Sequence, residues 1–420
     1  MKIEKCVLNE ALHVLSKVVC QSSPVEAFRQ IRFAGSGSRA RLCAADGVEV
    51  VALNVSCEAE GTFDFGIELR RLRELVRECK TKSLELDGSN FDWPKVEAVP
   101  ADAVTVELPP DFGKLLALAA PVVDRREARP ALQGINLSRD GVTTTNGKEL
   151  LNLPCPLTIP EEVTLPFPLA FLTAKPEGTG TLYIWRSRNE RFFRLEIGNF
   201  CWQGKVQPGN FPNWKQAIPA EQSLDYQIEF HEPERVIAFL KTVPDHEPFH
   251  GIELNVTPAG VTVIPVDTSA MKLDVSAEVT GVRPRAVLVL NKHILLRMLL
   301  QGYTKFRAHS DGRVPVVATG GYGQYVAMPI HILPKQPIEK ETQPMETNPS
   351  IETTETTPEP VNPMEELNHS IDELRGKLRT LFDESALLSR KVKEAVLQQK
   401  QREREFVQAK RAIERIRMAI

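Results

Sequence analysis

The sequence is poor in the features that catalysis, metal binding and membrane insertion usually need. Its seven cysteines, at positions 6, 20, 43, 57, 79, 155 and 201, never come closer than 14 residues, and no C-x-x-C occurs. The odd count and wide spacing argue against zinc or a disulfide framework, and for free, mostly buried thiols in a reducing compartment. The longest apolar run, residues 115–123, is far too short to span a bilayer. The opening MKIEKCVLNEALHVL is too polar for a secretory signal, so a cytoplasmic protein is expected. No G-x-x-x-x-G-K-[ST] phosphate cradle exists: Gly113-Lys114 runs into Leu115, and Gly147-Lys148 into Glu149. The glycines around 320–323 suit hairpin turns better than a dinucleotide. A net charge of −3 means that no overall basic balance announces nucleic acid. DHEPFHG, residues 245–251, sets His246 and His250 four apart with two acids, but Pro248 opposes the helix that would align them on a metal. Trp185, Trp202 and Trp214 read as core and turn packing rather than as a stacking platform. With no nucleophile–base pair in view, the expectation is a protein without catalysis, cofactor or metal.

What is present is length, and an internal repeat. A chain of 420 residues, 42% hydrophobic and 25% charged, is ordinary for a globular protein of two to four domains. FRQIRF at 28–33, LQGINL at 132–137 and FHGIEL at 249–254 each place an apolar residue, a gap of two, then Ile-x-apolar. Ile31, Ile135 and Ile252 are thus 104 and 117 residues apart. Each follows a helix-like segment and precedes a strand and turn. Asn146-Gly147 lies between strand-like runs and predicts a hairpin with positive φ at both central positions. A second helical stretch follows at 68–79 and 290–303, while the middle copy offers only the shorter PLAFLTAKPEG. The reading is three domains, each mixing helices with antiparallel strands: residues 1–107, 108–221 and 222–334.

The composition changes after residue 334. Residues 335–363 hold six Pro, six Thr and six Glu, too little apolar surface to offset the entropy of ordering, so they read as a disordered linker. Residues 364–420 have no Pro and one Gly, with apolar residues at spacings of three and four from Leu367 and Ile371 through Leu388 and Val392 to Ile416 and Ile420. That is a heptad seam, hence a coiled coil, interrupted at Ser385, Gln399 and Arg402.

Three motifs in the body make the repeat specific. RPALQGINL with TTTNGKEL behind it, GNFPNWKQAIP at 209–219 and YVAMPIHI at 325–332 resemble segments of the bacterial sliding clamp, the beta subunit of DNA polymerase III. The resemblance covers residues 1 to about 334 and leaves the tail unexplained. It implies an α+β DNA-clamp fold with helices lining a hole and sheets outside, and two subunits closing head to tail around duplex DNA. It implies a processivity factor that tethers a polymerase and meets it and the clamp loader through short linear peptides. The alternative is a clamp-derived scaffold or regulatory paralogue whose coiled coil does the partner work, with itself or with another protein.

Candidate site residues follow from both sources. On a helical wheel, Arg70, Arg73, Arg77 and Lys80 form one stripe beside the apolar Leu69, Leu72, Leu75 and Val76. Arg125, Arg126 and Arg129 crowd a turn, and Lys292 and Arg297 lie in a stretch without acids. A basic helix alone is more often a solvated face than a DNA contact. Their recurrence within a clamp-like repeat makes all nine the expected phosphate contacts. The resemblance further implies a partner-peptide pocket of Leu132, Thr145, Gly147, Leu150, Pro219, Val326, Met328, Pro329 and Ile330. Lys148-Glu149 departs from the family's pattern there, and His331 stands where a basic residue is common, so an acidic rim is expected.

Overall fold

A computed structural model describes residues 1–331 except 90, 91, 95, 246–249, 267–270, 282–283 and 321. Met1–Lys335 forms a compact unit of its own. The proposed linker and coiled coil lie outside the described residues.

One plan recurs three times, strand, helix, four or five strands, helix and closing strands, with one closing strand in the first repeat and three in each of the others among the described residues. The first repeat runs β1 (Lys2–Glu4), α1 (Lys5–Leu15), β2 (Gln30–Ser36), β3 (Arg39–Ala45), β4 (Glu49–Ser56), β5 (Thr62–Glu68), α2 (Leu69–Glu78) and β6 (Ser83–Glu85). The second runs β7 (Val104–Leu108), α3 (Phe112–Ala119), β8 (Gly134–Ser138), β9 (Gly141–Thr145), β10 (Glu149–Pro154), β11 (Val163–Pro166), α4 (Leu169–Ala174), β12 (Gly180–Ser187), β13 (Glu190–Ile197) and β14 (Phe200–Lys205). The third runs β15 (Tyr226–Phe230), α5 (Pro233–Thr242), β16 (Gly251–Thr257), β17 (Gly260–Pro265), β18 (Leu273–Val275), β19 (Ala277–Gly281), β20 (Ala286–Asn291), α6 (Lys292–Leu300), β21 (Lys305–Ala308), β22 (Val316–Gly320) and β23 (Gly323–Ala327). The short PLAFLTAKPEG segment does make a helix, the six-residue α4, which ends on Lys175 in the left-handed region at φ 47°.

Local chemistry sets these elements. Pro233 stands in the first turn of α5, where its missing N–H costs nothing. The Asn291 side chain caps α6 by accepting from the amides of His293 and Ile294 at 2.9 and 3.3 Å. At the Asn146-Gly147 turn the register flanks the loop with Asn146 and Glu149, which makes Gly147 and Lys148 its central pair. Only Gly147 takes positive φ, at 81°, and not both central residues as the sequence suggested. The Asn146 carboxamide oxygen instead accepts from the amides of Lys148 and Glu149 at 3.0 and 3.1 Å, so Asn serves here as a side-chain turn former. Asp46 does the same before Gly47, taking the amides of Val48 and Glu49 at 2.9 Å.

Ladder register refines the repeat. Ile31 stands opposite Ala44 and Ile135 opposite Thr144. In the third repeat the residue opposite the matching Val263 is Leu254, two positions after Ile252. Both are buried, because strand side chains return to the same face every two residues.

Two sheets cross the boundaries between repeats. The eight-stranded sheet has the order β5-β2-β3-β4-β14-β13-β12-β7, and the nine-stranded one β11-β8-β9-β10-β23-β22-β21-β15-β19. The β4–β14 and β10–β23 pairings are antiparallel ladders. Backbone hydrogen bonds therefore continue through each junction, and one apolar core runs through all three repeats.

Candidate functional site

The first repeat carries the basic helix surface. Leu69, Leu72 and Val76 of α2 are buried and its turns present Arg70, Arg73 and Arg77 to solvent, whereas Lys80, expected on the same helical stripe, is exposed beyond the helix end, because the chain is already extended at Cys79. Glu74 answers only part of this charge, at 3.7 Å from Arg70 and 3.6 Å from Arg71, in exposed pairs of little energetic weight. Arg73 and Arg77 share a shallow groove with Lys5 and His13 of α1. The sequence reading missed this contribution from α1, because the two helices lie more than fifty residues apart in the chain. The Lys5 ammonium also bonds the Cys79 carbonyl at 2.7 Å, meeting the negative end of α2.

Arg125, Arg126 and Arg129 are exposed, but not on a helix face. The Arg125 guanidinium lies over the Phe167 ring at 5.1 Å. Arg129 pairs with Glu127 at 3.0 Å and reaches the tip of the Gly147 turn.

Lys292 and Arg297 must be taken off the phosphate-contact list. Lys292 is 6% exposed, and its ammonium bonds the Val243 carbonyl at 2.8 Å and the Asp245 carboxylate. Arg297 points into the boundary between the second and third repeats, where it pairs with Glu149. The absence of acids near them in sequence misled, because both partners arrive from distant segments. Glu149, expected at an acidic rim, is likewise buried; it accepts from Arg297, from the Tyr325 hydroxyl and, at 2.8 Å, from Asn146. Burial works against the Arg297 cation, but Glu149 and Tyr325 together more than offset it and its pKa is raised. Burial, followed by the charge of Glu149, pushes the Tyr325 hydroxyl far above its usual range.

The first junction holds a counterpart. Glu49 faces Gly204 across β4–β14 as Glu149 faces Ala327 across β10–β23. Two residues back on the partner strand, Trp202 donates its indole N–H to Glu49 at 2.5 Å, where Tyr325 donates to Glu149. Here burial dominates over that hydrogen bond, and the Glu49 carboxyl is pushed up to about 7.

Of the nine pocket candidates, the second junction brings several together. Leu150 faces Val326 across the ladder and Thr145 on its other side. The Thr145 hydroxyl accepts from the Gly147 amide at 3.1 Å. Leu150 and Val326 pack with Val317 under Trp214, flanked by Phe211, Ile218 and Leu224. Leu132 and Pro329 are buried and Pro219 is half-buried. Ile330 is tied to β20 through its amide on the Val289 carbonyl at 2.7 Å, away from the Leu150 cluster. Met328 is the exposed member at 44%, and its amide bonds the Lys148 carbonyl at 2.9 Å. The junction therefore holds an apolar cluster that includes Trp214, and Met328 stands exposed two residues past Val326.

Asp245, His250 and His293 also meet, with ligand atoms within 4.8 Å of one another. The His246 of the sequence motif lies outside the described residues. Asp245 already receives Lys292, so a cation placed there would have to displace an ammonium. Among the described residues no helix is long and apolar enough to cross a membrane.

No family model matches the chain, and no curated protein sequence matches it. Solved structures do. The chain is similar to the DNA polymerase sliding clamp of Pseudomonas aeruginosa at 18% identity and a TM-score of 0.65, over 79% of this chain and 99% of that one. The Bacillus subtilis clamp matches at 15% and 0.65 with the same two coverages. The Caulobacter crescentus clamp matches at 19% and 0.61, again over 79% and 99%. At this identity the likeness establishes the fold.

Proposed function

We propose that the body is a non-catalytic clamp for duplex DNA that carries partner proteins along it. The observation that carries this reading is the α1–α2 face, where Arg70, Arg73, Arg77 and Lys80 stand exposed on a clamp fold. Lys and Arg on a rigid surface give labile, sequence-independent contacts with phosphates, which a sliding tether requires. Arg125, Arg126 and Arg129 supply a second basic edge. Partners of the DNA polymerase III kind dock short peptides at Met328 and the Trp214 cluster. The heptads of residues 364–420 pair the tails of two chains, or seize a different protein's helix.

Charge reversal tests the reading. The R70E/R73E/R77E variant should lose duplex affinity at least tenfold at low salt. Its slope of log affinity against log salt should flatten by about 2–3, while its melting temperature stays put. Unchanged binding would place the DNA elsewhere. The second reading, a clamp-derived scaffold, draws on Lys292 and Arg297 being committed to internal pairs, which leaves the basic helix face to the first repeat.

A further inference from the structure

We infer that two copies of this chain do not close on each other through the strand pairing that joins its own repeats. Both internal junctions follow one rule. The third strand of a repeat's first sheet, β4 or β10, pairs with the last strand of the next repeat, β14 or β23. A glutamate on the first strand meets an aromatic donor on the second. A head-to-tail pair of chains would need a third such junction, between β18 of one copy and the last strand of the first repeat in the other.

One half of that junction is altered, and the other lacks its strands among the described residues. β18 is the matching edge strand of its sheet, in the order β18-β17-β16-β20. Gly141 and Gly260 open equivalent strands, at φ 131° and 140°, and they crowd the carbonyls of Leu153 and Val275 respectively. Counting four residues back from each carbonyl aligns Glu149 with Met271. Met271, just before β18, therefore stands at the count where both junctions carry a carboxylate.

The other half lacks two strands among the described residues. Three strands follow the second helix in the later repeats, β12-β13-β14 and β21-β22-β23, whereas α2 is followed, among the described residues, by β6 alone. β6 pairs β1 as β12 pairs β7, so it corresponds to the first of the three, and the two that would reach a neighbour have no counterpart. Chain length agrees. Residues 86–103 separate β6 from the next repeat, against residues 188–225 after β12.

That short segment is committed elsewhere. Ser89 bridges Gly66 on β5, at one edge of the eight-stranded sheet. Trp93 then packs on Cys43, Ala52 and Cys201, on the face away from the core, with the Arg32 guanidinium 5.7 Å from its ring. The Glu97 carbonyl accepts from Gln203 at 2.5 Å, and Val104 starts β7 at the opposite edge. Seven inter-strand steps of ~4.8 Å make a crossing of about 34 Å, and the residues from Ser89 to Val104 reach about 50 Å fully extended, which leaves slack of roughly five residues, too few for two further strands like β13 and β14. The described residues Ser89, Trp93 and Glu97 thus lie against the sheet itself and form no closing edge.

For the DNA reading, on which this consequence alone rests, retention would come from lateral phosphate contacts and from whatever the tail binds. The assembly test needs no DNA. Hydrogen exchange of the full chain is followed from about 1 to 100 μM. The outward amides of Leu273–Val275 and the amides of residues 86–89 should exchange at concentration-independent rates, whether or not the tails associate. Tenfold slowing at both segments with rising concentration would overturn the inference. A second arm compares half-lives on nicked circular and linearised duplex. Equal half-lives are expected, and retention on the circle that is lost on linearising, together with slowed exchange at both segments, would also overturn it. Failure to bind either duplex would defeat the DNA reading while the exchange result still decides this one.

Discussion

The two junctions inside the body place a glutamate at one register position and treat it differently. Glu149 is buried with a cation, Arg297, and a phenol, Tyr325, so its charge is answered. Glu49 has the Trp202 indole and no contacting cation among its hydrogen-bond partners, and burial lifts its carboxyl to about 7. The fold fixes where the carboxylates stand. The side chains brought from other segments decide whether each stays charged. The same difference bears on the proposed DNA contact, since the Arg297 charge is already paired with Glu149.

The largest effect should come from removing the answered charge. Glu149→Ala leaves the half-buried Arg297 cation unpaired and Tyr325 without its acceptor. It should destabilise the body by about 3–5 kcal/mol in urea unfolding. A loss below 1 kcal/mol would show that the network is solvated and that the contrast between junctions is false.

Next is pH. The Glu49 carboxyl is raised in the folded state, so its protonated form is the stabilised one. Its contribution is fully present below the unfolded value of 4.5 and is lost as pH rises through about 7. Over that window the parent should lose about 1–2 kcal/mol that the Glu49→Gln variant does not lose, allowing for partial screening. Melting temperatures at pH 5 and pH 8 check this. Parallel curves for parent and variant would mean that Glu49 titrates normally.

The smallest effect on folding belongs to Met328→Ala. Met328 is 44% exposed, so stability should change by less than about 0.5 kcal/mol. Calorimetry with a clamp-binding peptide should nevertheless show at least tenfold weaker binding. Equal affinity would remove Met328 from the partner surface. Leu150→Ala is a poorer probe, because Leu150 packs under Trp214 and its loss would disturb the junction itself.

Several features were legible in the chain before any coordinates. The threefold order of helix and strands follows from apolar periodicity and turn residues, which act over a few positions. The α2 stripe was legible for the same reason: its solvent face depends only on helical geometry and its apolar residues, and Arg70, Arg73 and Arg77 do stand exposed. Even the paired junction glutamates left a trace, as Gly47-Val48-Glu49 and Gly147-Lys148-Glu149 share one spacing.

Other features needed the tertiary structure. Lys292 and Arg297 look free in a stretch without acids, but Asp245 and Glu149 come to them from 47 and 148 residues away. No local pattern encodes such meetings, because they depend on which strands align across a sheet. The packing of Trp93 on Cys43 and Cys201 is equally silent in sequence, where residues 86–103 are merely a polar connection rich in turn formers. The sequence by itself determined which elements form and which helix face is basic, since short-range sterics and hydrophobic period govern both. Only the folded sheets decided which charges are consumed, which carboxyl is pushed up to about 7 and which strand lies at a sheet edge, because each is settled by residues distant in the chain coming together.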